Sequence, residues 1–282
     1  MRLRAVRSLP KCCTLKLRLV SIVWLLLSST PAVWAEIQPS AVPGGIARIP
    51  LPNDVGAARF NGSRVLVTIE KGQSIAWVGL PLSTPPSIQQ IDTAAGPLRF
   101  EVQDKRYETE HLTITNDRKV NPLPMDYDRI QSERREMDQV FLSFTDALPS
   151  LTWQAPLAGR YSSSFGKRRV LNGNPRSPHS GLDIAAPEGT PIQSVSNGLV
   201  AAVGDYFFNG QTVMVDHGQG LISMYCHLSA ISVELGESIT AGTVIGAVGQ
   251  TGRVTGPHLH LSVSLNNARV DPLLFFSAPQ DP

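Results

Sequence analysis

The stretch GPHLHLSV (256–263) places two of the chain's six histidines, His258 and His260, two positions apart. It opens the run HLHLSVSL, which alternates polar and apolar residues without a break. On a β-strand, His258, His260, Ser262 and Ser264 would share one face, and Leu259, Leu261, Val263 and Leu265 the other. Same-face neighbours on a strand lie roughly 6.5–7 Å apart, too far for stacked rings but close enough to address one point. Spacing alone leaves three readings: two ligands of one metal, one ligand beside one proton-transfer group, or solvated polar residues.

Two further segments narrow these readings. LISMYCHL (221–228) alternates as well, so Ile222, Met224, Cys226 and Leu228 are expected on one face and Ser223, Tyr225 and His227 on the other. That would give His227 a polar sheet surface in common with His258 and His260, and leave Cys226 in the core, a poor place for a nucleophilic thiol. In PHSGLDIAAPEGTPI, His179 and Asp183 stand four apart, but Pro178, Gly181 and Ile184 argue for a loop entering a short strand rather than a helix. H-x-x-x-D alone is a weak signal; with H-x-H and a third strand histidine it becomes a strong one. Imidazole and carboxylate donors suit zinc, and catalytic zinc sites keep three protein ligands plus a water. Two histidines and one aspartate leave such a site at net +1, which acidifies the water. A neighbouring histidine can accept its proton and another can stabilise an oxyanion. His217, opening a Gly-rich turn in VDHGQG, reads as structural or supporting, and His111 as a surface residue. Asp205 and Asp216 are candidates for contacts behind the ligands.

The elements that must position these groups are mostly strands. Residues 36–52 are a Pro- and Gly-containing entry segment. RVLVTIE, SIAWVGLPL, LRFEVQD and HLTITN then form a small β-rich domain at 36–120. Asn61-Gly62 fits a glycosylation acceptor, but reads better as a hairpin turn. DYDRIQSERREMDQVFLSFTDALP predicts a linking helix within 121–150, capped by Asp126 and ended by Pro149, with Ile130, Met137, Val140, Phe141, Phe144 and Leu148 on one side. Residues 151–276 return to short strands separated by Gly-containing turns, and 277–282 form a tail. The fold class expected is mainly β: a small N-terminal β module, a linking helix and a C-terminal antiparallel sheet.

The first 35 residues stand apart. Six basic residues, the apolar run Leu19–Leu27 and Val33-Trp34-Ala35 read as a secretory signal peptide cleaved after Ala35, too short in its apolar part to span a membrane comfortably. All six leader charges are positive, so the formal +2 of the chain becomes −4 without them. The basicity is therefore no nucleic-acid-binding surface. Cys12 and Cys13 leave with the leader, so Cys226 has no intrachain disulfide partner.

HSGLDIAAPEGTPI (179–192), MYCHL (224–228) and TGPHLHLSV (255–263) together resemble the three signatures of lysostaphin/LytM-type zinc metallopeptidases, the M23 family, over roughly residues 152–275. The resemblance implies one zinc ion per chain, with His179, Asp183 and His260 as ligands and His258 and His227 as catalytic residues. We read His258 as the base and His227 as the oxyanion stabiliser, although the motifs permit the reverse. It further implies an exported, periplasmic or envelope enzyme that cuts peptide cross-links of bacterial peptidoglycan, with its stem peptides as substrate and no stable membrane insertion. D-Ala to diaminopimelate is the expected bond. Arg253, in TGRVTGPH, is a possible substrate contact through a stem-peptide carboxylate. Relatives that lack ligands regulate other cell-wall hydrolases; here all five key positions are filled, which favours activity over that alternative. The N-terminal domain could hold substrate, dock such a hydrolase, or cover the groove.

Overall fold

The alternating runs of the C-terminal half pair into one twisted sheet. In the computed structural model, which describes residues 37–276, its strands follow the order Ser238–Ile239, Gly198–Tyr206, Gly210–Gly218, Leu221–Ile231, His258–Leu265, Leu182–Ala185 and Arg160–Ser163. Every pair along this path is antiparallel. Pro191–Gln193, Val244–Val248 and Ala268–Val270 complete it. The leader and the 277–282 tail lie outside the described residues. Among the described residues, no helix is long and apolar enough to cross a membrane.

Period-two patterning gives the sheet two apolar faces, and each is covered by a different element. Leu259, Leu261, Val263 and Leu265 turn to one side, where they are buried with Ile46, Leu66, Ile75 and Trp77 from the N-terminal region. Those residues come from a three-stranded sheet ordered Ile46–Pro50, Gln73–Gly79, Leu66–Glu70. The contact is close at Gly79, where a Cβ would lie 2.5 Å from the Leu265 carbonyl oxygen. There the buried Asn266 amide mimics a strand: it accepts from Gly79 N–H at 2.7 Å and donates to Gly79 O at 3.0 Å. On the opposite face Phe141, Met137 and Val140, from the one α-helix among the described residues, cover Ala202, Met214, Ile222, Met224 and Cys226. The helix is thus the third layer of the fold.

That helix is shorter than expected. It runs Tyr127–Leu142, and Ser143 is extended, so Phe144 and Leu148 lie beyond it and Leu148 is exposed. The side chain of Asp126 does not cap it either. Its carboxylate instead accepts from Leu123 N–H and from Arg118. Tertiary contacts with Gly218 and Gly220 hold the segment after Leu142: Gln219 N–H donates to Thr145 O, and a Cβ on Gly218 would meet Ala147 O at 2.1 Å.

Other local expectations hold. Asn61 and Gly62 turn with φ of +49° and +81° between Ala58–Phe60 and Ser63–Arg64. Both positions with positive φ mark the turn type that suits a two-residue hairpin. The strand Thr109–Leu112 does not pair with the rest of the N-terminal region. It lies parallel to Arg168–Leu171, placing Glu110 opposite Arg169. A segment upstream of the helix thereby borders the residues around His179.

Candidate metal centre

Register brings the histidines together. His260 pairs with Asp183 on one side and Cys226 on the other, and His258 pairs with Ala185. Opposed residues of an antiparallel pair point to the same face, so Asp183 and His260 meet directly. His179 ends the preceding loop: its N–H donates to Lys167 O, and its carbonyl accepts from Gly166 N–H, both at 2.8 Å. Gly181 lets the loop pass close over the site, since a Cβ there would lie 2.8 Å from the His260 ring and 2.4 Å from Leu261 O.

His227 arrives differently from the alternation expected of it. Tyr225 and Leu228 both enter the main core, while Cys226 lies on the helix-side face opposite His260. Simple alternation would send His227 into the core with Tyr225. The pairing slips instead: Val213 faces Tyr225 and Gln211 faces Leu228, so Cys226 and His227 together oppose Thr212. This is a β-bulge, which re-aims a side chain without ending the strand. His227 absorbs it with φ +67°, a left-handed conformation uncommon for a histidine and costly unless its surroundings impose it. Its ring lies 4.9 Å from that of His258 and 5.9 Å from that of His260. The expected grouping of Ser223 and Tyr225 with His227 is therefore corrected; Ser223 bonds Tyr225 and His217 inside the core.

The hydrogen bonds fix which atoms are free. A carbonyl oxygen only accepts, so the Nδ1 of His179, 2.9 Å from Ser164 O, carries its proton and leaves Nε2 as a lone pair. Ser262 Oγ donates to Ser180 O and so accepts from His260 Nε2–H at 2.9 Å, which leaves His260 Nδ1 as a lone pair. Asp183 Oδ2 accepts from Arg169 Nη2 at 2.8 Å. The remaining atoms converge: Asp183 Oδ1 is 3.0 Å from His179 Nε2 and 2.7 Å from His260 Nδ1, and these two nitrogens are 3.0 Å apart. Burial opposes charge on the Asp183 carboxyl. Burial likewise pushes His260 down to about 4. Three converging lone pairs on buried side chains form a donor set that could hold a metal ion.

His227 and His258 present the other side of the site. Their Nδ1 atoms are each 2.8 Å from a carbonyl, Thr251 O and Gly256 O, so each neutral ring turns an unprotonated Nε2 away from its anchor. His258 Nε2 reaches within 3.8 Å of Asp183 Oδ1. Burial, then the neighbouring His258 and His260, push His227 well below the usual histidine range. Arg253 joins them: it lines a cavity of about 230 Å³ together with His227, His260, Arg169, Arg176 and Phe208. A larger hollow of about 770 Å³ beside Arg48 and Trp77 contains no histidine.

The remaining candidates lie elsewhere. His217 bonds Asn197 O and Ser223 Oγ beneath Trp153, with burial pushing it to about 4. Asp216 accepts from Gly218 N–H, Asp205 lies 3.5 Å from Arg129, and His111 is exposed. Cys226 is fully buried and burial raises its thiol to about 12, so it is no nucleophile. Sequence reasoning passed over Glu110, Ser163 and Arg169. Ser163 Oγ donates to Glu110 Oε2 at 2.8 Å and lies 3.3 Å from His179 Nδ1, while Lys167 Nζ donates to Glu110 Oε1 at 3.1 Å.

Residues 177–272 match Peptidase family M23 and residues 39–105 match the Peptidase family M23 N-terminal domain. A solved structure from Pseudomonas aeruginosa that bears the description peptidase M23 is 45% identical, with a TM-score of 0.71, over 84% of this chain and 95% of that one. The chain belongs to peptidase family M23. Among similar proteins, the DD-carboxypeptidase/endopeptidase Mpg of Neisseria meningitidis is 41% identical over 114 residues, 40% of this chain and 26% of that protein. The peptidoglycan DD-endopeptidase ShyA of Vibrio cholerae is 39% identical over 113 residues, with the same shares covered. The chain thus spans about a quarter of the length of these curated relatives.

Proposed function

We propose that this M23 protein is an exported zinc metalloendopeptidase that hydrolyses peptide cross-links of bacterial peptidoglycan, acting as a DD-endopeptidase in the periplasm or cell envelope. The observation that carries the proposal is the convergence of His179 Nε2, Asp183 Oδ1 and His260 Nδ1, with every other polar atom of those side chains already bonded. The names of Mpg and ShyA support the substrate class. In this reading residues 1–35 are the export signal, 36–120 the N-terminal domain, 121–150 the linker and 151–276 the peptidase domain.

His179, Asp183 and His260 would hold one zinc ion, which supplies Lewis acidity and lowers the pKa of water bound to it. His258 is the base: its Nδ1–H is anchored on Gly256 O, so the attacking water's proton goes to Nε2, close to the Asp183 carboxylate. The protonated ring then supplies the proton that the leaving nitrogen needs as the C–N bond breaks. His227, anchored on Thr251 O, faces the carbonyl oxygen through Nε2. Burial keeps it neutral at rest, so as charge develops on that oxygen Nε2 takes up a proton from solvent, donates it in a hydrogen bond to the oxyanion and returns it to solvent when the carbonyl re-forms.

The test is digestion of defined cross-linked muropeptides by zinc-loaded protein, read by mass spectrometry. Release of a peptide ending in D-Ala, abolished by a chelator and restored by zinc, is expected. No cleavage by protein carrying one zinc per chain would overturn the proposal.

A further inference from the structure

The cavity beside the candidate centre is lined by three arginines and by no aspartate or glutamate. Two of the three are engaged. Arg169 donates to Asp183, and Arg176 Nη2 donates to Val120 O and Asn121 Oδ1, each at 3.0 Å. Arg253 differs. Its backbone N–H is fixed to Phe208 O at 2.9 Å and its guanidinium lies 4.6 Å from the centre of the Phe208 ring. Among the described residues, no carboxylate lies within salt-bridge distance of it. Burial, then the charges of Arg169 and Arg176, lower it to about 10, so it stays charged at neutral pH in surroundings that disfavour the charge.

A half-buried guanidinium without an acid is costly unless something brings one. Its planar fork matches a carboxylate through two parallel N–H···O bonds, better than it matches a neutral amide. His227 and His260 line the same cavity, so a carboxylate seated on Arg253 would lie near the reacting carbonyl. Phe208 holds the guanidinium from one side, which lowers the entropy lost on binding.

We propose that Arg253 is a specificity residue that binds a free carboxylate next to the scissile amide. This inference rests on the peptidase reading above and selects among its substrates. It points to cross-links made on an amine whose own carbon bears a carboxylate, as in diaminopimelate. It points away from bridges of glycine or lysine, where the equivalent carbon carries hydrogen or continues the chain.

A matched pair of cross-linked dimers tests it, identical except that the diaminopimelate carboxylate beside the scissile nitrogen is free in one and a carboxamide in the other. The wild-type protein is expected to favour the free carboxylate by roughly 10- to 100-fold in kcat/KM, the usual weight of a charge-assisted hydrogen bond. In zinc-loaded Arg253→Gln that ratio should collapse towards one. Equal cleavage of both dimers by the wild type would overturn the inference and leave the peptidase reading standing. So would an Arg253→Gln protein that slows on both to the same extent. Failure of the wild type on both dimers, by contrast, would count against the peptidase reading itself. The wild-type comparison decides the matter even if the variant folds poorly.

Discussion

The two sides of the candidate centre are built to different rules. On the inner side, His179, Asp183 and His260 spend every spare polar atom on the protein: Ser164 O, Arg169 and Ser262 Oγ. On the outer side, His227 and His258 each hold a single carbonyl and leave Nε2 open, and Arg253 meets no acid among the described residues. A ligand set must keep its geometry whether or not an ion is bound, so outer contacts that fix tautomer and ring orientation serve it. Groups that exchange protons or meet a substrate need one free atom and one anchor. The difference between the sides is thus a count of hydrogen bonds per side chain, and it predicts separable failures.

The largest effects should come from breaking that separation. Alanine at His179, Asp183 or His260 should abolish both zinc retention and turnover. Alanine at His258 should retain one zinc per chain and lose about 10²- to 10⁴-fold in kcat, the range for a missing acid–base group. Alanine at His227 should also retain zinc, with a loss set by its share of oxyanion stabilisation. Metal analysis of dialysed proteins beside single-turnover rates distinguishes the classes. Equal zinc loss in all five variants would erase the distinction between the two sides.

How far this plan could be read before folding depends on the residue. The H-x-H pair was legible because His258–Leu265 is a regular strand, and period two places both rings on one face. The short strand after His179 was legible from Pro178 and Gly181. His227 reaches the surface expected of it, but Ser223 and Tyr225 were wrongly grouped with it because a bulge shifts phase by one residue, and nothing in MYCHL announces it; the slip is set by pairing with Val213 and Gln211. The helix was drawn too long because Phe144 and Leu148 continue its periodicity, while Gly218 and Gly220 hold that segment from elsewhere. Glu110 was invisible for a deeper reason. It reaches the site through a parallel pairing between residues 59 positions apart, Thr109 to Leu112 with Arg168 to Leu171, and neither strand carries a pattern naming the other.

Glu110 and Ser262 make the next, smaller prediction, since they act on the inner side without touching its meeting point. Ser262→Ala removes the acceptor of His260 Nε2–H and frees the ring to change tautomer. Glu110→Gln removes the charge that Lys167 and Ser163 share behind His179, and that lies 3.9 Å from Arg169 Nε. Residues behind metal ligands carry roughly 10- to 100-fold in metal affinity. Ser262→Ala is expected near the upper end and Glu110→Gln near the lower, measured by zinc competition with a chromophoric chelator. Unchanged affinity in both would mean that the inner side owes its rigidity to packing alone.

His217 supplies the control, because it is bonded at both nitrogens yet lies away from the site. Its saturation is structural, so its consequence should appear in stability and not in zinc binding. Burial lowers its pKa from 6.5 to about 4 in the folded state. Between those values the unfolded chain binds a proton that the folded chain refuses, so the stability contribution is complete above about pH 7.5 and falls as the pH drops towards 4. At pH 5 the loss amounts to about 2 kcal/mol for this group. Urea unfolding at pH 7.5 and pH 5 should show a smaller acid loss in His217→Gln than in the wild type, with zinc affinity alike in the two proteins. If the acid losses are the same, the buried imidazole is not what couples stability to pH. If zinc affinity falls in His217→Gln, full hydrogen bonding no longer distinguishes a structural histidine from one that serves the metal centre.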